Sequence, residues 1–334
     1  MKIIVPMAGR GTRLRPHTLV TPKPLIHVAG KPMVQRIVED ITRICDQKVD
    51  EIAYIIGPTF GKEAENDLVA VAEKLGAKGS IYYQDIASGT AHAILCASKS
   101  LTGKVVVAFA DTLFKADFVL DSEKEGIIWV NRIDDPSQFG VVKLNSDGVI
   151  TDFIEKPVEF VSDLAIIGIY YFKDGENLRK ELQYLIDNNI KEKGEFQLTN
   201  ALENMKQKGM KFLPGAVTEW LDCGNKDATV HTNSRILEFD RDKKLVASSV
   251  VTENSVIIEP CFIGEKVVIK NSVVGPHVSL GDGCRVENSI IKNAIIQKNT
   301  KIINANITNS MVGIGAEYHG SVKHLSLGDY SVEK

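Results

Sequence analysis

Between Val251 and Val312 apolar residues recur at steps of six or five: Val251, Ile257, Ile263, Ile269, Val274, Leu280, Val286, Ile291, Ile296, Ile302, Ile307 and Val312. A coarser repeat overlies this one. The pairs Asn254-Ser255, Asn271-Ser272 and Asn288-Ser289 stand 17 residues apart, each followed by two apolar residues. A helix needs apolar positions at three and four, and a half-buried flat sheet needs strict alternation. Two six-residue sides and one five-residue side add to one three-sided coil of that length. The segment therefore predicts a parallel β-helix of about four coils, each burying its neighbour's aliphatic stripe.

The first 225 or so residues follow another rule. Short apolar runs (Lys2–Val5, Ile52–Ile56, Ile81–Tyr83, Val105–Phe109) alternate with helical patterns such as Val34, Ile37, Val38, Ile41 and Ile44. Continuous apolar strands separated by amphipathic helices predict a parallel sheet covered on both faces. Ile127–Val130, Val141–Leu144 and Ala165–Phe172 predict further strands of mixed direction. A helical stretch near 225–238 leads into the charged break Asp240-Arg241-Asp242-Lys243-Lys244. The expected organisation is a region over 1–240, the β-helix over 246–325 and a tail over 326–334.

Bulk properties limit the partners. With 40 Lys and Arg against 43 Asp and Glu, the formal charge of -3 excludes a broad electrostatic grip on nucleic acid or on acidic membranes. Any phosphate binding must be local. No apolar run is long enough for a signal-peptide core or a membrane span. The five cysteines, Cys45, Cys96, Cys223, Cys261 and Cys284, show no CxxC pair and no metal-ligand spacing. They are expected as reduced thiols in a cytoplasmic protein.

The first strand runs into Met7-Ala8-Gly9-Arg10-Gly11-Thr12-Arg13. Glycines let backbone N–H groups approach a phosphate, and Arg13 offers it a fork of donors. Alone, such a loop also reads as a tight turn. It is not a P-loop, because no Lys-Ser or Lys-Thr follows the last glycine, and Leu14 stands where a dinucleotide fingerprint needs its third glycine. Ten residues after Arg13, Pro22-Lys23-Pro24-Leu25 presents one lysine on a stiff segment. Ala-Gly-x-Gly-Thr-Arg-Leu-x-Pro followed by Pro-Lys-Pro-Leu, with Gly30-Lys31-Pro32-Met33 beyond, closely resembles the signature of the sugar-1-phosphate nucleotidylyltransferases. The resemblance extends over roughly residues 1–240. It implies a Rossmann-like α/β nucleotidyltransferase domain with a mostly parallel mixed sheet, here followed by a left-handed parallel β-helix of hexapeptide repeats.

The resemblance also implies roles. Ala8, Gly9, Gly11, Thr12, Gln84, Gly89 and Thr90 would bind the nucleotide. Gln84, carrying a donor and an acceptor, suits the edge of a pyrimidine. His92, in Ser88-Gly89-Thr90-Ala91-His92-Ala93, is read as helix surface or packing. Asp111 follows a buried strand at the sheet edge where open α/β sheets bind ligands. Trp220-Leu221-Asp222-Cys223-Gly224-Asn225 resembles the family's Trp-Leu-Asp-x-Gly element, so Asp111 and Asp222 would together hold Mg²⁺. Glu155-Lys156-Pro157 resembles a motif whose lysine binds the sugar phosphate and whose glutamate accepts sugar hydroxyls. Gly140, Gly168, Tyr170 and Glu195 would surround the sugar. Arg13, Lys23 and Lys156 would be the catalytic cations. Asn200 stands where the family commonly has Asp.

The implied reaction is the attack of a sugar 1-phosphate oxygen on the α-phosphorus of a nucleoside triphosphate, with loss of pyrophosphate. UTP or dTTP and glucose 1-phosphate are the expected substrates, and the expected assembly is a homo-oligomer with neither nucleic acid nor membrane as partner. Two rivals stand beside it. The solenoid could transfer an acyl group, with His277 as the histidine well inside the repeat. Alternatively, the chain could be a non-catalytic, nucleotide-sugar-binding regulatory subunit, although such relatives would be expected to lose one of Arg13, Lys23, Asp111, Lys156 or Asp222.

Overall fold

The computed structural model describes residues 1–321 and 324–332. Positions 322–323 of the expected β-helix and 333–334 of the expected tail lie outside the described residues. The chain divides into two compact units, Met1–Ile26 with Lys31–Gly224, and His27–Gly30 with Asn225–Lys334.

The first unit runs β1 (Lys2–Pro6), α1 (Met33–Ile44), β2 (Glu51–Ile56), α2 (Gly61–Lys74), β3 (Lys78–Tyr83), α3 (Thr90–Cys96), β4 (Val105–Ala108), β5 (Thr112–Lys115), β6 (Gly126–Arg132), β7 (Gly140–Leu144), β8 (Ile150–Glu155), β9 (Leu164–Phe172), α4 (Gly175–Asp187), α5 (Leu198–Gln207), β10 (Phe212–Ala216) and β11 (Glu219–Asp222). Nine of the strands form one sheet, with the path β8-β7-β9-β4-β1-β2-β3; β6 pairs with β9, and β10 pairs with β6. β4, β1, β2 and β3 are parallel, whereas β9 runs antiparallel to β4, β6 and β7. This is the mixed sheet that the continuous apolar runs predict. Ile3, Ile4, Ile52, Val105 and Val107 are fully buried, so the central strands have no solvent face. The α1 positions read from helical spacing, Val34, Ile37, Val38, Ile41 and Ile44, are all buried. β5 and β11 form a separate antiparallel ribbon, and that ribbon positions the site.

The second unit is a parallel β-helix. One side stacks Val251–Glu253, Val268–Lys270, Arg285–Glu287, Lys301–Ile303 and Glu317–His319. Its interior holds most of the predicted stripe: Ile263, Ile269, Val274, Leu280, Val286, Ile291 and Ile302 are all fully buried, whereas Val251, in the first coil, is 55% exposed because it has a neighbouring coil on one side only. The Asn-Ser repeat has a physical cause. Asn254, Asn271, Asn288 and Asn304 take positive φ (46°, 48°, 47° and 53°), the left-handed conformation that asparagine tolerates better than branched residues. Their amides form a ladder of 3.3, 3.2 and 3.1 Å. The neighbouring serines form a second ladder, Ser255 Oγ accepting from Ser272 N–H at 3.1 Å and Ser272 Oγ from Ser289 N–H at 3.0 Å. Each coil thus satisfies its corner through the next one.

Helix α6 (Lys226–Phe239), capped by Asn225 accepting from Ala228 N–H at 3.0 Å, packs on this solenoid. Buried Asn233 accepts from Ser279 Oγ at 2.7 Å, and its amide donates to the His277 carbonyl at 3.3 Å. Among the described residues all five cysteines are free thiols, and no helix is long and apolar enough to cross a membrane.

Candidate active site

β1 ends at Pro6, and the chain turns through Ala8–Gly11 along the carboxyl edge of the sheet, Met7 N–H still bonding to the Ile55 carbonyl at 2.9 Å. Gly11 sits at φ 59°, and a Cβ there would lie 2.8 Å from Lys23 Cβ. Only glycine lets this loop close onto the lysine segment. Thr18 Oγ1 donates to the Gly11 carbonyl at 2.8 Å and Leu14 N–H to the same oxygen at 3.0 Å, tying the loop down. Pro22 and Pro24 bracket Lys23 at the start of a short 3₁₀ turn, Lys23–Leu25, and its ammonium meets Asp111 Oδ2 at 2.8 Å. The lysine side chain is 8% exposed and the aspartate 41%.

Asp111 directly precedes β5 and Asp222 closes β11. The ribbon pairs Thr112 with Asp222, and Cys223 N–H donates to the Asp111 carbonyl at 3.1 Å, so the two aspartates are adjacent across the ribbon. Burial pushes the Asp222 carboxyl above the ordinary carboxylate range and the Asp111 charge adds to this, while the Gly224 N–H, Lys23 and Arg13 pull it back. A partly desolvated Asp222 carboxyl with a second carboxylate's charge nearby is an arrangement that a hard divalent cation relieves. Among the described residues no cluster of three or more His, Cys, Asp or Glu could hold a metal. An ion at this pair would therefore complete its shell with phosphate oxygens and water, which suits Mg²⁺.

A cleft of about 350 Å³ opens over Lys23 and Asp111; Gly224 lines it, and Asp222 does not. Of the residues singled out from the sequence, Ala8, Gly9, Gly11, Thr12, Arg13, Lys23, Gln84, Gly89, Thr90, Asp111 and Glu195 line it. Gly89, at φ 105°, lies so close to the 195–198 segment that a Cβ would stand 2.4 Å from the Phe196 carbonyl. Ala91 N–H bonds to that carbonyl at 2.9 Å, and Thr90 Oγ1 accepts from Leu198 N–H at 2.9 Å. Two segments a hundred residues apart are thereby joined along one wall.

Gly140, Glu155, Lys156, Gly168 and Tyr170 form a second group, outside the cleft lining. Glu155 Oε2 lies 3.2 Å from where a Gly140 Cβ would stand, accepts weakly from Thr199 Oγ1 at 3.5 Å, and its other oxygen is 3.5 Å from Lys156 Nζ. Lys156, at φ 43°, is half exposed, and its N–H bonds to the Phe139 carbonyl at 3.1 Å. Tyr170 is buried, and burial, with the Glu155 charge behind it, pushes its hydroxyl well up. Phe109 connects the two groups: it lines the cleft and meets the Tyr170 ring edge-on at 6.2 Å.

Several participants were not singled out from the sequence. Phe109 counted only as a strand end. Gln197 donates to Glu195 Oε2 at 3.2 Å, and Thr199 Oγ1 donates to Glu155; both follow Glu195 closely in the chain. His92, read as helix surface or packing, places Nδ1 3.0 Å from Gln84 Nε2. Asn200 has its Oδ1 buried without a hydrogen-bond partner among the described residues.

The sequence model of the family described as nucleotidyl transferase matches residues 2–238. The chain is 30% identical over 331 residues to the bifunctional protein GlmU of Methanococcus vannielii, covering 90% of this chain and 75% of that one. It is 29% identical over 360 residues to a glucose-1-phosphate thymidylyltransferase of Streptomyces antibioticus, covering 99% and 98%. Among solved structures, a Bacillus anthracis protein designated a glucose-1-phosphate thymidylyltransferase, in complex with a sucrose, superimposes with a TM-score of 0.59 at 25% identity over 70% of this chain and 94% of that one. The glycine loop, the lysine turn and the sheet-edge carboxylates lie within the matched region, and the chain belongs to the nucleotidyl transferase family as a sugar-1-phosphate nucleotidylyltransferase.

Proposed function

We propose that the enzyme joins UTP or dTTP to a hexose 1-phosphate, glucose 1-phosphate in the first instance, and releases pyrophosphate. The observation that carries this reading is the convergence of Lys23, Arg13, Asp111 and Gln84 on one cleft beneath a glycine loop, with Asp222 beside Asp111. In the reaction a sugar phosphate oxygen forms a bond to the α-phosphorus as the bond to the β-phosphate oxygen breaks, and pyrophosphate leaves with the electron pair. The nucleophile is already an anion, so no general base is required. The task is to bring two polyanions together and to neutralise charge as it moves.

The loop amides at Gly9 and Gly11 cradle the triphosphate, and Arg13 and Lys23 hold its β- and γ-oxygens and the departing pyrophosphate. Gln84 and Gly89 receive the base. Lys156 holds the attacking phosphate, and Glu155 and Glu195 accept sugar hydroxyls. Asp111 and Asp222 would hold Mg²⁺, which supplies charge neutralisation at phosphate oxygens when bound. Asp111→Asn and Lys156→Ala are each expected to remain folded and to lose turnover by orders of magnitude. A pyrophosphate-release screen of five nucleotides against a panel of sugar phosphates tests the substrates, and near-wild-type rates in either variant would refute the assignment.

One finding favours a second reading: relatives of this chain are named bifunctional. It would place acyl transfer on the solenoid at His277, whose Nε2 is 2.6 Å from Glu238 Oε1 on α6. Release of free coenzyme A from acetyl-coenzyme A tests this reading, and no release under conditions that support pyrophosphate formation counts against it.

A further inference from the structure

Gln84 follows β3, its N–H bonded to the Ile56 carbonyl at 2.9 Å, and its side chain is 8% exposed in the wall of the cleft. The side-chain nitrogen makes two contacts, to the Gly89 carbonyl at 3.3 Å and to His92 Nδ1 at 3.0 Å. A carbonyl oxygen can only accept, so the nitrogen end of the amide must face Gly89 whatever the histidine does. The second hydrogen then points at His92, whose Nδ1 must carry the lone pair and whose proton must sit on Nε2. Both amide hydrogens are engaged, and the atom left for a ligand is Oε1, an acceptor only.

That restriction has a chemical consequence. Uracil and thymine carry N3–H, a donor, on the edge that pairs. Cytosine carries a lone pair at N3 in the same place. An amide free to turn about its last torsion could present oxygen to the first and N–H to the second. An amide locked as Gln84 is here can serve only the first. The contact to Gly89 is near the long limit for an N–H···O bond, so the lock depends mainly on the shorter bond to His92. His92 is itself held by the anchoring of α3, through Ala91 N–H to Phe196 and Thr90 Oγ1 to Gln197 Oε1 at 3.2 Å.

We infer that His92 is a positioning residue that fixes the Gln84 amide as an acceptor and thereby selects uracil or thymine over cytosine. The inference rests on the reading of this cleft as the nucleotide site. The test uses the full chain, with steady-state KM and kcat for UTP and CTP and calorimetric Kd values for both nucleotides, in wild type, His92→Ala and His92→Asn. Wild type is expected to prefer UTP by about 100-fold in kcat/KM, since a site built around one hydrogen-bond pattern rejects its inverse strongly. His92→Ala should narrow that ratio about tenfold or more through KM, with the value for UTP rising and that for CTP falling. His92→Asn, whose amide oxygen can stand where Nδ1 stood, should restore most of the preference.

A merely structural lesion would raise both KM values together and leave their ratio unchanged, and that result overturns the inference even if wild type is active. If His92→Ala is poorly folded by tryptophan emission, the Asn variant decides: a folded Asn variant that does not keep the preference also overturns it. Failure of wild type to bind either nucleotide in calorimetry would instead remove the nucleotide-site reading on which the inference stands.

Discussion

Replacing Lys23 by Met should weaken the first unit measurably, because this lysine is the buried half of an ion pair. Its ammonium is 2.8 Å from Asp111 Oδ2 and its side chain is 8% exposed. At an effective dielectric of about 20, two charges at that separation attract by roughly 6 kcal/mol before any cost is counted. Desolvation of the ammonium offsets most of this, and Asp111, 41% exposed, is partly screened by water. A charge-assisted hydrogen bond of this kind retains about 1.5–3 kcal/mol. Methionine keeps the stem that packs under Gly11 and deletes only the charge, so we expect Lys23→Met to cost about 2 kcal/mol. Both tryptophans of the chain, Trp129 and Trp220, lie in this unit, so their emission during urea unfolding reports on it alone. The midpoint should fall by about 1 M for a slope near 2 kcal/mol/M. Asp111→Asn strands the buried ammonium and should cost a similar amount, while the double variant should cost much less than the sum. A coupling below about 0.5 kcal/mol, the ordinary scatter of additivity, would refute the argument and reduce the pair to a surface contact.

Gly89→Ala places a Cβ 2.4 Å from the Phe196 carbonyl at a φ of 105°, so it should part the two segments of the cleft wall and raise the nucleotide KM about tenfold or more in steady-state assays. In the solenoid, Asn271→Ala removes two rungs of the ladder at a φ of 48° and should cost about 2 kcal/mol, read as faster hydrogen exchange in the coils above and below. The Glu238 carboxyl is held below its ordinary 4.5 by the hydrogen bond to His277. A depressed acid contributes stability above its unfolded value and loses it as pH falls through the folded one. Glu238→Gln should therefore loosen α6 at pH 6 and make no difference well below pH 4.5, as followed by exchange of the α6 amides.

Much of this molecule was legible without coordinates, and the reason is locality. The 17-residue recurrence of Asn-Ser encodes a corner that each coil hands to the next, so a periodic sequence implies a periodic structure. Val34, Ile37 and Ile41 announce a helix because one turn brings them together, and the central strands announce burial because their runs are almost wholly apolar. Elements without that regularity were silent. β8 reads Ile-Thr-Asp-Phe-Ile-Glu and sits at a sheet edge where polar residues are tolerated, and β10 carries a proline and a glycine. Helices α4 and α5 carry buried leucines at helical spacing.

The residues of the candidate site can be proposed from motifs, but their partnerships cannot. Lys23 and Asp111 are 88 positions apart, and nothing in either stretch says that the lysine's cation is already committed to the aspartate. Asp111 and Asp222 become neighbours only because β5 pairs with β11, a register chosen by the packing of the whole sheet edge. Gln84 and His92 are only eight residues apart, yet their hydrogen bond depends on the turn between them being pinned by Phe196 and Gln197 from far along the chain. Periodicity and glycine placement are written in the chain because they act over a few residues; charge pairing and amide orientation depend on directions in space, and those exist only after the distant segments have met.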